Sequence, residues 1–522
     1  MAHLPHIVIA GVEPWGHARP LCAFASKAVL TQDVYITLFT HPRVCEKVKQ
    51  EVSRGFNGPQ EAERKKFIRV VALDCLAEGA DFADTMRLEQ VRYLDSFLAL
   101  YAKLLEEKPV TCFTTKTEFP AISAPKMVVL DFIVGPLASM LKTVPGNKAK
   151  IIGFNSGMAS FIFFSFAPAK LGGRGDFKTK ALQEAERTGK HVNEVANEMI
   201  HVYTDEVTQI PGFPKMHHWE YDPQDTTALT LGFMGVLWMS LLDAFDAIDG
   251  VIITSPEVYE PKAITATREW FAETNRGVWA IGPLLPKMDT KEAREGEAAQ
   301  SEKSAEVQRF MEMVIEKFGE RKMLYISFGS AFWPPQPEKL EAFVDVLLEK
   351  KIPFIFSHGS PIAQLSDAFK TRVEQSGIGL LSKWSAQQTI LVHPALGWFV
   401  SHCGHNSALE ATASGVPIIA WPFHADQSAN AVNLTVNHDV AFELLEVRTG
   451  NGLKPIYRTG KAPVGTIDAI RAEASDVLDR AFGEEGARKR ANAKSLQAKI
   501  LSAWNKGGSA EVDMAKLLKT LA

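Results

Sequence analysis

The chain has 522 residues, of which 46% are hydrophobic and 23% are charged, and its formal net charge is −4. This length predicts two to four domains, and so small a net charge argues against a protein that recruits nucleic acid or anionic membranes. The five cysteines form no Cys-x-x-Cys pair, which favours a reducing compartment over a disulfide framework. The residues before the first strand show no basic-then-apolar signal, and the longest apolar stretches are interrupted by polar residues or too short to span a bilayer. We therefore expect a cytoplasmic protein without an integral membrane segment.

Short apolar strands alternate with amphipathic helices along the whole chain. In the first half the predicted strands are Ile7–Ala10, Val34–Phe39, Phe67–Ala72, Met127–Leu130, Ile151–Phe154 and Val251–Thr254. In the second half they are Met323–Ser327, Phe354–Ser357, Gly379–Leu381, Gly397–Val400, Ile418–Trp421 and Ala441–Leu444. Nearly continuous apolar strands that alternate with helices predict an α/β fold with doubly wound parallel sheets.

A change of composition divides the chain in two. Residues 287–306 contain no Ile, Leu, Val or Phe and are mostly charged or small, which predicts an exposed linker. We therefore expect an N-terminal domain at residues 1–282 and a C-terminal domain at residues 283–500. The last residues, 501–522, are predicted to form a helix that returns to the N-terminal domain.

The first strand leads into a loop that carries His17. A loop histidine is usually a surface residue, but the segment that follows the first strand of an α/β sheet commonly lines a binding site. Asp131 ends the strand that begins at Met127, and a carboxylate there must be exposed or paired. Pairing of Asp131 with His17 would orient the imidazole and stabilise its protonated form.

The segment Ser401–Ser407 joins a short apolar strand to a helix through a turn at Gly404. Asn406 or Ser407 is expected to cap that helix, and Gly415 to end it in the left-handed conformation. Unpaired amides and the positive end of the helix dipole then form an anion site. Two other interpretations of this segment are weaker. A metal site is disfavoured because no second pair of ligands stands at zinc-like spacing. A catalytic role for Cys403 is disfavoured because a cysteine beside an apolar strand is more simply a small buried side chain.

Three acidic or amide side chains follow at positions where sugar hydroxyls could be bound. Glu410 lies in the first turns of the predicted helix, within reach of a ribose, although it could also simply complement the helix dipole. Asp426 and Gln427 follow the next strand, where they could hold neighbouring hydroxyls or cap a helix.

These motifs together resemble the donor-binding signature of plant-type UDP-glycosyltransferases. The signature residues are Trp384-Ser385-Ala386-Gln387, Leu391, His393-Pro394, Gly397, His402-Cys403-Gly404-x-Asn406-Ser407, Glu410, Gly415-Val416-Pro417, Pro422 and Asp426-Gln427. Other landmarks of the family stand in the expected order: Gly16-His17-x-x-Pro20, Pro211-Gly212-Phe213-Pro214, Ile281-Gly282-Pro283-Leu284 and Ser327-Phe328-Gly329-Ser330. The resemblance implies two Rossmann-like domains that face each other across a cleft, the GT-B arrangement.

The resemblance also implies a role for each matching residue. Trp384 would stack on uracil, Gln387 and Glu410 would hold the ribose, and Asp426 and Gln427 would hold the sugar. His17 would be the general base and Asp131 would steady the imidazolium. The diphosphate would be bound by His402, Asn406, Ser407 and Ser330, and the remaining donor-binding positions are Ser385, Gly404 and His405. The expected reaction is an inverting transfer of a hexose, most simply glucose, from a UDP-sugar.

Further sequence features bear on the donor sugar, on a metal or cofactor, and on the acceptor. His405 stands where the family usually has Trp, and Ala386 where it usually has Pro, so the donor sugar does not follow directly from the resemblance. No Asp-x-Asp triplet occurs, so we expect neither a metal nor any cofactor beside the UDP-sugar co-substrate. The acceptor would be a small hydrophobic alcohol or phenol, such as a flavonoid, terpenoid, sterol or lipid, with Phe132 among its contacts.

Alternative functions are weaker. A phosphorylase would need a pyridoxal lysine site, of which there is no sign, and an epimerase would be expected to lack the signature. A non-catalytic nucleotide-sugar-binding protein remains the alternative, although the presence of both His17 and Asp131 argues against it. We expect a monomer.

Overall fold

The computed structural model describes residues 4–80, 82–202, 204–225, 234–286, 296–297, 301, 303–330 and 332–521. Within these ranges, none of the helices combines the length and the apolarity needed to cross a membrane. Two large parallel sheets organise the chain, one in each half.

The N-terminal half is built on a seven-stranded sheet in the order β7-β6-β5-β4-β1-β2-β3. Its strands are β1 His6–Ala10, β2 Tyr35–Thr40, β3 Ile68–Ala72, β4 Met127–Asp131, β5 Lys150–Asn155, β6 Gly250–Ile253 and β7 Gly277–Ala280. Every neighbouring pair in this sheet is parallel. The strand order reverses beside β1, and ligands bind outside the carboxyl ends of the strands at such a point.

The C-terminal half is built on a six-stranded parallel sheet in the order β10-β9-β8-β11-β12-β13. Its strands are β8 Met323–Ser327, β9 Phe354–Ser357, β10 Gly379–Ser382, β11 Leu396–Ser401, β12 Ile418–Ala420 and β13 Ala441–Glu443. The central strands β8 and β11 are buried along their whole length, because helices cover both faces of the sheet. The two halves confirm the predicted pair of Rossmann-like α/β units.

Helices surround both sheets. Those of the N-terminal half are α1 Trp15–Thr31, α2 Cys45–Arg54, α3 Gly58–Ala62, α4 Phe82–Leu105, α5 Pro136–Thr143, α6 Ala159–Phe166, α7 Phe177–Thr188, α8 Val192–Met199, α9 Met234–Ala247 and α10 Pro261–Ala272. Those that follow are α11 Ser304–Phe318, α12 Pro337–Glu349, α13 Asp367–Ser376, α14 Gln387–Leu391, α15 His405–Ala413, α16 Gln427–Val432, α17 Ile467–Ala481, α18 Glu484–Ser502 and α19 Ser509–Lys519.

Short elements complete the chain. Single 3₁₀ turns lie at Pro42–Val44, Glu63–Phe67, Phe132–Val134, Ala169–Leu171, His218–Tyr221 and Gly450–Leu453, and a π turn at Asn433–Asn437 extends α16. Two small antiparallel ladders pair Val110–Thr111 with Glu118–Phe119 and Val207–Thr208 with Met216–His217.

The predicted strands all occur, with ends that differ by at most one residue. The strand β7 was not predicted. It lies at the edge of its sheet, and three of its four residues are only partly buried. An edge strand of that kind lacks the continuous apolar run by which the inner strands were recognised.

The predicted linker is only partly described, since residues 287–295, 298–300 and 302 lie outside the described ranges. Among the residues that are described, Gly296, Lys303 and Ala305 are exposed as expected, but two others are not. Glu297 and Ser301 are buried, and helix α11 already begins at Ser304. The carboxylate of Glu297 accepts hydrogen bonds from the backbone amides of Gln388 and Thr389, which offset the cost of burying its charge.

The end of the chain crosses from one half to the other. Helix α18 packs on the C-terminal half, where Lys489 contacts Asp439. Helix α19 packs on the N-terminal half, where Asp513 accepts hydrogen bonds from the amide of Ala280 and from Arg268. Between the two helices the indole of Trp504 donates to the carbonyl oxygen of Pro283, at 2.7 Å.

Candidate active site

A cavity of about 720 Å³ lies between the carboxyl ends of the two sheets. Both halves contribute to its lining. All of the predicted site residues line it except Asp131 and Phe132. The predicted residues therefore converge on one site, with the segment after β1 on one side and the segments after β11 and β12 on the other.

His17 and Asp131 form the pair that the sequence predicted. The Nδ1 atom of His17 lies 2.9 Å from Oδ2 and 3.1 Å from Oδ1 of Asp131, and Asp131 is fully buried. An N–H at Nδ1 that donates to this carboxylate leaves the Nε2 lone pair free to accept a proton. The imidazole is 38% exposed, so a ligand in the cavity can reach it.

The surroundings of His17 favour its protonated form. Burial alone would lower the pKa of His17, but the nearby carboxylates of Asp131 and, more weakly, Asp426 raise it above 6.5. Ser156, which the sequence analysis missed, places its hydroxyl 2.8 Å from the same Nδ1 atom. No sequence pattern marks Ser156, because it comes to the site only through the pairing of β5 with β4.

The turn that precedes α15 differs in detail from the prediction. The residue in the left-handed conformation is Cys403, with φ of 64°, whereas Gly404 has φ of −56°. Gly404 is needed for space instead, because a Cβ atom at this position would lie 2.5 Å from Nε2 of His402. The helix begins at His405, so Asn406 and Ser407 lie in its first turn rather than at its cap. Gly415 follows the helix with φ of 66°, as predicted.

The two alternative uses of this turn find no support in the geometry. Cys403 is fully buried, and burial raises the pKa of its thiol well above the ordinary value, which is the condition of an inert cysteine. Within the described part of the chain, three potential metal ligands come together only at Glu13, His41 and Glu89, none of which belongs to this turn.

His402 is a neutral hydrogen-bonding group at the start of the helix. Burial lowers the pKa of His402 to about 4, so it carries no charge near neutral pH. Its ring packs over the backbone of Gly329, where a Cβ atom would approach it to 2.9 Å. Ser330, the next residue, is exposed and lines the same part of the cavity.

His405 acts on the cavity through its backbone and its neighbours. Its amide donates to Oδ2 of Asp426 at 3.2 Å, and its Nδ1 lies 3.4 Å from the side-chain oxygen of Asn430. Asn430 in turn donates to Asp426. The ring packs 5.9 Å from that of Tyr259, and burial lowers the pKa of His405 to about 4.

Asp426 and Gln427 present polar groups to the same end of the cavity. Burial raises the pKa of Asp426 to about 6, although His17 opposes this shift. The side-chain oxygen of Gln427 accepts hydrogen bonds from the amides of Phe423 and His424, which leaves its NH₂ group for a ligand. His424, another residue that sequence reasoning missed, forms an ion pair with Asp222 of the N-terminal half.

The residues expected to hold the nucleoside lie at the other end of the donor region. Trp384 is 38% exposed, and the Nζ atom of Lys47 lies 4.4 Å from the centre of one of its rings. The Oε2 atom of Glu410 accepts a hydrogen bond from Gln387 at 2.8 Å, and its Oε1 accepts one from Arg19 at 2.8 Å. Gln387 also reaches Ser407, and Ser385 is buried with its hydroxyl bonded to Ser357.

The part of the cavity beyond His17 is largely apolar. Ile133, Phe161, Phe164, Leu237 and Trp238 line it. Phe132, which the sequence predicted here, points elsewhere: its ring stacks 4.6 Å from that of Phe245 and does not line the cavity. Ile133, the next residue of the same 3₁₀ turn, lines the cavity instead.

Comparison with known proteins relates the chain to one family. The family profile described as "UDP-glucoronosyl and UDP-glucosyl transferase" matches residues 236–451. A UDP-glycosyltransferase of Hericium erinaceus, eriJ, is 28% identical over 98% of both chains. Over its full length the chain is similar to UDP-glycosyltransferases. It is therefore an enzyme, and the resemblance seen in the sequence is confirmed.

Other relatives and solved structures agree with this assignment. The flavonol 3-O-glucosyltransferase UGT71C1 of Arabidopsis thaliana is 26% identical over 68% of this chain and 67% of its own. A transferase of Siraitia grosvenorii solved with UDP superposes with a TM-score of 0.68 at 17% identity, over 99% of both chains. UGT2 of Phytolacca americana, solved with UDP-2fluoro-glucose and pterostilbene, gives 0.65 at 18% identity over 99% of both chains. These structures share the GT-B fold of this enzyme.

Proposed function

We propose that this enzyme transfers glucose from UDP-glucose to a hydroxyl group of a small, mostly apolar acceptor, with inversion at the anomeric carbon. The observation that carries the proposal is the His17–Asp131 pair, 2.9 Å apart, which faces the start of α15 across a single cavity. A base on one side and anion stabilisation on the other are what a direct displacement requires.

The reaction begins at the acceptor hydroxyl. Nε2 of His17 takes its proton while the oxygen attacks the anomeric carbon from the face opposite the diphosphate. The bond between that carbon and the diphosphate oxygen breaks, and UDP leaves with the electron pair. Asp131 stabilises the imidazolium that forms, since its carboxylate already raises the pKa of His17.

The departing diphosphate meets neutral donors and a helix dipole. The free amides at the start of α15 and the N–H of His402 would stabilise the charge that develops there. With a pKa of about 4, His402 contributes a hydrogen bond rather than a positive charge. We propose that this arrangement makes the transfer independent of a divalent metal.

Asp426 and Gln427 would bind hydroxyls of the glucose. Near neutral pH Asp426 is ionised, because its pKa is about 6, and an ionised carboxylate accepts hydrogen bonds from hydroxyl groups. The apolar end of the cavity, with Phe161 and Trp238, fits an aromatic or alicyclic acceptor. The flavonol 3-O-glucosyltransferase among the relatives supports a phenolic acceptor.

A direct assay tests the proposal. The enzyme is incubated with UDP-glucose, UDP-galactose, UDP-xylose and UDP-glucuronic acid against a panel of phenols, flavonoids, terpenoids and sterols, with and without EDTA. We expect release of UDP together with a β-glucoside from UDP-glucose, and no loss of rate in EDTA. Tight binding of UDP without glycoside formation from any pair would instead support a nucleotide-sugar-binding protein, and a glycoside of α configuration would contradict inversion.

A further inference from the structure

The helix that begins the donor site contacts the base-bearing segment on both sides of His17. Asn406 of α15 donates to the carbonyl oxygen of Gly16 at 2.5 Å. One turn further along α15, Glu410 accepts a hydrogen bond from Arg19 at 2.8 Å. Residues from opposite halves of the molecule, about 390 positions apart, thus hold the segment that carries the base.

Arg19 is fixed in place independently of any ligand. Its Nε donates to Glu51 at 2.9 Å, and its Nη2 lies 3.8 Å from Glu297. The side chain is only 13% exposed. Because a guanidinium is a rigid planar fork, two carboxylate partners besides Glu410 fix the direction in which Nη1 points.

Glu410 retains acceptor capacity after these contacts. Arg19 takes one position on Oε1, and Gln387 takes one on Oε2 at 2.8 Å. A carboxylate offers about four lone-pair positions, so about two remain. Two acceptor positions on one rigidly held carboxylate match the two neighbouring hydroxyls of a ribose.

We propose that Arg19 is a positioning residue for the donor, which holds Glu410 in the orientation that binds the ribose and ties that orientation to the segment carrying His17. The proposal rests on the proposed use of a UDP-sugar. It assigns part of nucleoside recognition to the N-terminal half, through a residue that the donor signature does not include.

The buried carboxylates around Arg19 make this residue hard to replace. Glu51, Glu297 and Glu410 are all buried, and Arg19 contacts each of them. Arg54 supplies a second cation, which pairs with Glu51 and also acts on the charge of Glu297. Without Arg19, Glu410 would keep its amide partner and lose its only ion-pair partner among the described residues. A buried carboxylate without a counter-charge is costly, so we expect Glu410 to leave this orientation.

The opposite role is also testable, because Arg19 could instead compete with the ribose for Glu410. The two roles predict opposite changes in the affinity for UDP when Arg19 is replaced. If Arg19 positions Glu410, its replacement weakens binding of UDP; if it competes, replacement strengthens binding. The positions left on Glu410 and the anchoring of Arg19 by Glu51 favour the first.

The test compares binding of UDP and 2′-deoxy-UDP by calorimetry in the wild type, Arg19→Gln, Arg19→Lys and Glu410→Gln. We expect the wild type to prefer UDP by about 10- to 100-fold, as for a hydroxyl bonded to a charged group. This preference should fall towards 1 in Arg19→Gln and in Glu410→Gln, and Arg19→Lys should recover part of it. The matched control is Arg43→Gln, which loses contacts with Glu89 and Glu13 in the same half and should leave the preference unchanged.

Several outcomes would overturn the proposal. They are an unchanged preference in Arg19→Gln, tighter binding of UDP by that variant, and a wild type that does not distinguish the two nucleotides. If Arg19→Gln does not fold, as judged by its circular dichroism melting curve, Arg19→Lys decides, with full retention of the wild-type preference as the contradicting result. The measurement needs no acceptor and no turnover, so a failure of glycosyl transfer would be seen separately in the activity assay.

Discussion

The two ends of the cavity are built in different ways. The donor end comes mostly from one stretch, Trp384–Gln427, which supplies fourteen of the residues that line the cavity. The acceptor end is assembled from side chains of α6, α9 and the turn after β4, which lie far apart in the chain. A conserved chemistry such as diphosphate binding suits a contiguous segment, whereas a variable ligand suits separate elements that can change one by one.

Between these ends lies His17, and its removal is expected to have the largest effect. His17→Ala should lower kcat by about 10³-fold or more, because the imidazole that takes the proton of the acceptor hydroxyl is lost. Binding of UDP, measured by calorimetry, should be unchanged, since the donor end stays intact. A variant that keeps the wild-type rate would show that the base lies elsewhere.

Asp131→Asn should lower the rate by about 10²-fold and also move the pH profile. His17 accepts a proton only when neutral, so kcat/KM of the wild type should fall as the pH drops through the raised pKa of His17, which lies above 6.5. Without the carboxylate that pKa falls, and the acidic limb should move to lower pH. If the acidic limb of the profile stays at the same pH in Asp131→Asn, Asp131 does not influence the pKa of His17.

Trp238→Ala tests whether the acceptor end is independent of the donor end. The Trp238 ring packs 5.2 Å from Phe166 and 6.2 Å from Phe161, and it lines the cavity. We expect KM for an aromatic acceptor to rise about tenfold, because an apolar contact surface is lost. The dissociation constant of UDP should not change; a matching rise in that constant would show that the two ends are coupled.

His405→Trp is expected to have the smallest effect. The larger ring must fit between Tyr259 and Asn430, and Asn430 also donates to Asp426. The ratio of kcat/KM for UDP-glucose to that for UDP-galactose should therefore change by a few-fold, through a small displacement of Asp426. An identical donor profile would mean that position 405 has no influence on the sugar.

The same difference between the two ends explains what the sequence could predict. Short apolar runs predicted the strands of both sheets, and the spacing of residues within one segment predicted those of the donor end. Contacts between distant segments left no local pattern, so Ser156, Arg19 and the pair of His424 with Asp222 were missed. Aromatic, apolar composition predicts Phe132 at the acceptor end, but backbone direction in a 3₁₀ turn decides that its neighbour Ile133 faces the cavity. Similarly, composition marked Glu297 as exposed, although a buried helix start holds its carboxylate.

The bond between Trp504 and Pro283 has a consequence for how the halves can move. The chain passes between them after β7 and again between α18 and α19, and this hydrogen bond of 2.7 Å holds the two crossings side by side. Paired crossings at one place act as a hinge, which permits rotation of one half against the other but resists sliding or separation. Opening of the cavity for exchange of UDP would then rotate the donor end away from His17 about one axis. Closure would bring the two back to the same relative position.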